Sequence, residues 1–238
     1  MKKATNLFYL TILFFQLAIR PVEAQPLNFG EGWMVGINAG TLTYFGTISS
    51  YKNSESLSQS FSEDSEFGMS YMFGKMVTRT FSLKAVYLNG KMKGINNNLA
   101  YRFTNNLDEI GLFADLSLIK IFKPRYNGRL NPYINIGGGF LQVDSYRDRI
   151  PDDIVDEIAV SESAAFITAG LGAKYDINLN WKVDLYGGLR ATDSDMIDAT
   201  PSDNGPNDMY SFISIGIVYI LIPPAYTKNS RGMPCPDW

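Results

Sequence analysis

The chain has 238 residues, a net charge of −3, one cysteine and no histidine. A mildly acidic balance argues against a nucleic-acid partner. The missing histidines remove the usual general base and the commonest metal ligand, and with them the ordinary His-dependent hydrolases and acyltransferases. Cys235 has no partner for an internal disulfide, and no cofactor is expected.

The N-terminus reads as a secretory signal. Lys2 and Lys3 precede an apolar run from Leu7 to Ala18, and Val22-Glu23-Ala24 is a small-x-small cleavage site that predicts a mature start at Gln25. No cysteine follows the apolar run, which argues against a lipoprotein. No later segment is apolar for long enough to cross a membrane as a helix. Any insertion must therefore use a closed barrel, the other structure that satisfies its backbone in lipid.

Eight strand-like segments follow, at about 33–44, 67–75, 81–89, 109–121, 132–143, 164–175, 181–190 and 210–221. Long connectors (45–66, 90–108, 144–163, 191–209) alternate with short turns (75–80, 122–131, 176–180). An even strand count with long loops at one end predicts an all-β fold: an eight-stranded, antiparallel up-and-down transmembrane barrel of the OmpA type. The expected organisation is a signal over 1–24, a barrel over 25–221 and a short periplasmic tail over 222–238, with no second domain.

Period two decides the faces. Trp33, Val35, Ile37 and Ala39 alternate with Met34, Gly36, Asn38 and Gly40. Phe67 to Phe73 and Phe81 to Tyr87 repeat the pattern. So do Ile110 to Leu118, Ile134 to Phe140, Ala165 to Leu171, Trp181 to Leu189, and Ile213 to Tyr219. The apolar set is predicted to face lipid; a lipocalin-like barrel would turn it inward. Aromatic residues at segment ends, namely Trp33, Tyr44, Phe67, Phe81, Tyr87, Tyr133, Tyr175, Trp181, Tyr210 and Tyr219, are expected to form interfacial girdles.

Parity puts Lys84, Asp115, Lys174, Lys182, Asp184 and Arg190 inside. There, charges of both signs should pair and fill a lumen too narrow for a porin. A gated ion path is the weaker alternative. Asn127-Gly128 marks a tight turn, and Pro132 a strand start. The acids Asp152, Asp153, Asp156 and Glu157 in the third long loop suit a solvated loop better than a cation or lipopolysaccharide contact. The tail, with Pro223-Pro224, reads as a disordered end or a small periplasmic contact.

Three stretches resemble the PorG family of outer-membrane barrels of the type IX secretion system: Gly40–Ser49, Asn131–Gly139, and Gly188–Asp198 followed by Asn207–Tyr210. Arg190, Thr192, Asp195, Asp198 and Tyr210 carry the third match; Thr47 and Met196 depart from the family pattern. The resemblance implies a non-enzymatic component of a Gram-negative outer membrane, embedded in lipid and lipopolysaccharide, that contacts periplasmic ring lipoproteins of the PorK and PorN type. Arg190 and Asp195 are expected to tie the seventh segment to the fourth loop. A surface barrel that uses its loops for adhesion or ligand capture is the alternative.

Overall fold

The computed structural model describes residues 32–45, 65–96, 101–123, 128–149, 158–199 and 207–221. The signal segment, most of the first long loop, the acids at 152–157, Asn127 and the tail with Cys235 lie outside them. The strands are β1 (Trp33–Phe45), β2 (Ser65–Met76), β3 (Phe81–Asn96), β4 (Tyr101–Ser117), β5 (Leu130–Arg149), β6 (Ile158–Asp176), β7 (Trp181–Thr192) and β8 (Met209–Ile220). They close in sequence order, each antiparallel to the next, with β8 pairing back to β1.

The register fixes the shape. Following cross-strand partners from Val35 through Phe73, Ala85, Leu112, Gly138, Ile167, Ala191 and Met209 returns to β1 at Phe45, a shift of ten residues. Eight strands with that shear tilt by about 40° and enclose a space that side chains can fill.

All eight faces have the parity read from the sequence. Val35, Ile37, Phe73, Leu83, Leu112, Ile136, Ile167, Leu185 and Ile215 stand exposed on the outer wall, while Met34, Lys84, Phe113, Asn135, Lys174, Asp184 and Arg190 are buried inside. An outer wall this apolar needs lipid around it. Membrane barrels carry such an apolar outer band, typically about 25 Å tall.

Strand length departs from the sequence reading. The expected connectors 90–108 and 144–163 are mostly strand, leaving only 97–100 and 150–157 between β3 and β4 and between β5 and β6. The cause lies in the outward rows. Tyr87, Ile110, Phe140 and Ala165 are paired across β3–β6. The next outward row is Asn89, Asp108, Gln142 and Ser163, and the one after it Lys91, Asn106, Asp144 and Ser161. The wall has left the lipid and entered water. Its inner side changes to match, with Leu88, Met92, Phe103, Leu107, Leu141 and Val143 buried in one apolar cluster. Apolar residues therefore switch parity within each strand, and a search for one phase stops at the switch.

At the opposite end β4 stops at Ser117 instead of running to 121. Ser117 Oγ caps a short helix, α1 (Leu118–Phe122), by accepting from Lys120 N at 3.4 Å. Leu118 thus leaves the lipid-facing row. The other two turns at this end share one design. Thr78 Oγ1 accepts from the backbone N–H of Thr80 and Phe81, and Asn178 Oδ1 from those of Asn180 and Trp181.

The belt yields a depth-dependent prediction. Leu112→Arg, in the middle of the belt, should cost about 2–4 kcal/mol of unfolding free energy. Asn106→Arg, on the same face above the belt, should stay within about 0.5 kcal/mol of the parent. Urea unfolding of the barrel in lipid vesicles measures both.

Candidate functional site: the filled lumen and its outer cap

Three layers of side chains occupy the interior. The layer nearest α1 is centred on Asp115, which is 3% exposed. Its carboxylate accepts from Lys84 Nζ at 3.0 Å, Lys174 Nζ at 2.6 Å and Asn135 Nδ2 at 2.6 Å. Tyr133 donates to Asp184 Oδ1 at 2.8 Å, and Tyr186 to Asn135 Oδ1 at 3.2 Å. Both lysines lie over the Tyr133 ring, Lys174 at 4.5 Å and Lys84 at 5.4 Å, so each cation has a carboxylate and an aromatic face. Lys182 pairs with Asp176. Gly172 makes room for the Tyr133 ring, since a Cβ there would stand 2.3 Å from it.

The middle layer is one buried unit. Arg190 Nε and Nη2 donate to Glu109 Oε2 and Oε1 at 2.7 and 3.3 Å. Tyr210, opposite Arg190 in the β7–β8 ladder, donates to Glu109 Oε2 at 2.7 Å. The guanidinium also faces the Tyr210 and Phe212 rings, each at 5.5 Å. This corrects the expected Arg190–Asp195 tie. Glu109 reaches the guanidinium first, because the inner parity of β4 points it across the lumen.

The outer layer is a cap. Residues 193–199 fold over the mouth, and the fully buried Ile197 joins the apolar cluster. The extended strands hold it: Asn105 Nδ2 and Ser145 Oγ donate to Ile197 O at 3.2 and 2.5 Å, and Arg147 Nη1 to Ala199 O at 2.8 Å. Thr192 Oγ1 donates to Ser194 O and Asp208 O at 3.0 and 2.8 Å. Asp208 is the cap's anchor, accepting from Ile197 N at 3.0 Å and from the Tyr44 hydroxyl. Burial, and then the charge of the equally buried Asp198, pushes Asp208 up to about 7; its two hydrogen bonds only partly oppose this.

Several sequence expectations are thereby placed. Lys84, Asp115 and Lys174 meet in one cluster, Asp184 joins through Tyr133, whose ring lies under both lysines, Lys182 goes to Asp176, and Arg190 goes to Glu109. Asp195 and Asp198 sit in the cap. Tyr44, Tyr133 and Tyr210 leave the girdle, because each is buried in the lumen with its hydroxyl on a carboxylate. Glu109 and Asp176 were missed. Both share inner parity with residues that were found, Glu109 with Asp115 and Asp176 with Lys174.

Among the described residues no group of three or more acids or thiols is placed to hold a metal. The arrangement is cross-linking in character: it neutralises charge, stacks rings and closes a mouth.

No protein-family model matches the chain, and no curated protein matches it in sequence. Among solved structures it is similar to Neisserial surface protein A, at 10% identity and a TM-score of 0.47 over 79% of this chain and 96% of that one. It is also similar to Ail, the attachment invasion locus protein of Yersinia pestis, at 10% identity and 0.44 over 80% and 99%. A third is a major outer membrane protein from Thermus thermophilus, at 9% identity and 0.46 over 79% and 99%. Likeness at this level says nothing of function.

The middle layer and the cap each generate a prediction. Arg190→Met alone should destabilise the barrel by about 3–5 kcal/mol by stranding a buried carboxylate, and adding Glu109→Gln should restore most of it; urea unfolding of the single and double variants measures this. For Asp208, the folded form keeps a proton between pH 3.8 and about 7 that the unfolded form has released. Stability is therefore greatest below that window, and up to about 4 kcal/mol is lost as pH rises through it. Hydrogen exchange at Ile197 should quicken from pH 5 to 8 beyond its intrinsic base catalysis, and Asp208→Asn should remove the excess.

Proposed function

We propose that the chain is an outer-membrane β-barrel that works as a non-enzymatic membrane anchor and not as a pore. The observation carrying this reading is the three-layer filling. The Asp115 cluster, the Arg190–Glu109–Tyr210 unit and the Ile197 cap leave a lumen occupied by bonded side chains. A path for solutes would need those charge pairs broken in a buried setting.

The finer reading is a PorG-like component of a type IX secretion apparatus that contacts periplasmic ring lipoproteins of the PorK and PorN type. It is supported by the Gly188–Tyr210 motif, whose residues have structural work to do in this fold. Arg190 and Tyr210 share Glu109, Thr192 fastens the cap, and Asp198 lies beside Asp208. A second reading, surface adhesion, is favoured by the rise of β3–β6 above the belt with a polar outer face.

Crosslinking followed by pull-down from solubilised envelopes separates the two. The anchoring reading expects periplasmic ring lipoproteins in the captured fraction. Recovery of extracellular ligands alone would transfer the assignment to adhesion.

A further inference from the structure

The sheet that rises above the belt has two side edges, and they are not alike. On the β3 side, pairing with β2 runs to Gly90↔Gly68. Beyond it Lys91 and Lys93 stand on the edge strand, and Lys93 Nζ meets Glu66 of β2 at 2.9 Å. Lysines on an edge strand keep other strands away.

On the β6 side the edge is open. Pairing with β7 ends at Phe166↔Thr192, yet β6 begins at Ile158. The chain closes one further rung: Asp193 N donates to Ala165 O at 3.1 Å, and Asp193 Oδ1 accepts from Ala165 N at 2.8 Å. Antiparallel alternation turns the N–H and C=O of Ser163, Ser161 and Ala159 the same way as those of Ala165, towards this side. Among the described residues nothing pairs with them there, and all three residues are exposed. Lysine, proline and bulge, the usual guards of an edge, are missing. Residues 158–165 contain no Lys, Arg or Pro. The β5–β6 register runs unbroken from Arg147↔Ile158 to Leu130↔Tyr175, so no bulge twists the strand away.

An open edge takes an extended polypeptide, because a strand offers donors and acceptors at the matching spacing. A second copy does not fit. Copies in one membrane stand the same way up, so their β6 edges could meet only in parallel, and a two-fold axis would then set each N–H against its own counterpart. Charge narrows the partner further. Residues 158–165 and the cap residues 193–199 carry Glu162, Asp193, Asp195 and Asp198 and no Lys or Arg. Asp193 is exposed at the foot of the edge, while Glu162 lies beside it with Oε1 accepting from Ser194 Oγ at 3.3 Å. Arg147 of β5 is directed to Ala199 O. The small side chains of Ala159, Ser161 and Ser163 leave room for bulky neighbours on an incoming strand.

We propose that the β6 edge over residues 158–163 is a strand-addition site for an extended segment of another protein, bearing Lys or Arg, on the outer side of the membrane. The segment pairs antiparallel to β6 and prolongs the β3–β6 sheet. The site lies at the end opposite any periplasmic contact and is independent of the anchoring reading.

The test uses the full chain, isotope-labelled and folded in a maltoside detergent, with the peptide acetyl-Lys-Val-Lys-Val-Lys-Val-Lys-amide. In the free protein the amides of Ala159, Ser161 and Ser163 should exchange with solvent at rates near those of an open chain. Saturating peptide should slow them tenfold or more. Ser161→Pro removes an edge N–H that no ladder uses, so the barrel should keep its heat-modifiable gel shift while peptide affinity falls tenfold or more. Ser163→Lys, which installs an edge guard, should do the same. The same peptide methylated at every main-chain nitrogen should not bind, and one with Glu for each Lys should bind at least tenfold more weakly. Slow exchange of the three amides in the free protein would overturn the proposal, since residues of the chain itself, such as 200–206, or a second copy would then hold the edge. Absence of saturable binding, full affinity in both folded variants, or equal binding of the methylated peptide would overturn it too. Equal binding of the acidic peptide would overturn the basic partner.

Discussion

Arg190, Glu109 and Tyr210 join three strands across the lumen at the level where the surroundings of the wall change. β4 contributes Glu109, β7 contributes Arg190 and β8 contributes Tyr210. Below the unit the outer wall faces lipid, and the interior is free to be polar. Above it the wall of β3–β6 faces water, and the interior becomes apolar. A buried pair of this kind is held by its alternatives: removing one partner leaves an unpaired charge that neither the apolar region above nor the charge-paired region below can solvate. Cap, apolar plug and charged layer are all positioned relative to it.

The same chain thus obeys two opposite rules along one strand. In β3, Leu83 and Tyr87 face out in the belt, while Leu88 and Met92 face in nearer and beyond its edge. In β5, Ile134, Ile136 and Phe140 face out, and Leu141 and Val143 face in. The apolar side chain always takes the position away from water, which changes sides when the lipid ends. The upper part of the barrel is built like a soluble β-protein, with an apolar core and a polar skin. The lower part is built like a membrane protein, with the polar groups inside.

That double rule explains what was legible in the sequence. The parity of every segment could be read, because a whole outward row such as Ile110, Leu112 and Ala114 shares one medium. The extensions of β3–β6 could not, because the hydrophobic phase reverses where they begin and the polar outward residues resemble loop. The six lumen charges followed from parity, but their partners did not. Partner choice depends on register across the barrel, which no single segment contains, so Arg190 was matched with the near-sequence Asp195 and not with Glu109. Tyrosine was ambiguous for a related reason. Its ring suits the interface and its hydroxyl suits a buried carboxylate, and for Tyr44, Tyr133 and Tyr210 the carboxylate prevailed.

The cap has a mechanical consequence. Its chain leaves β7 and returns into β8, yet its carbonyls are gripped by Asn105 and Ser145 and by Arg147 from the raised strands β4 and β5. It is a strut spanning the opening from the low rim to the high wall. A sideways load on the raised hairpins is therefore carried through Ile197 and Asp208 to Tyr44 on β1. Bending one side of the rim strains the other, so the outer end yields or holds as a single piece.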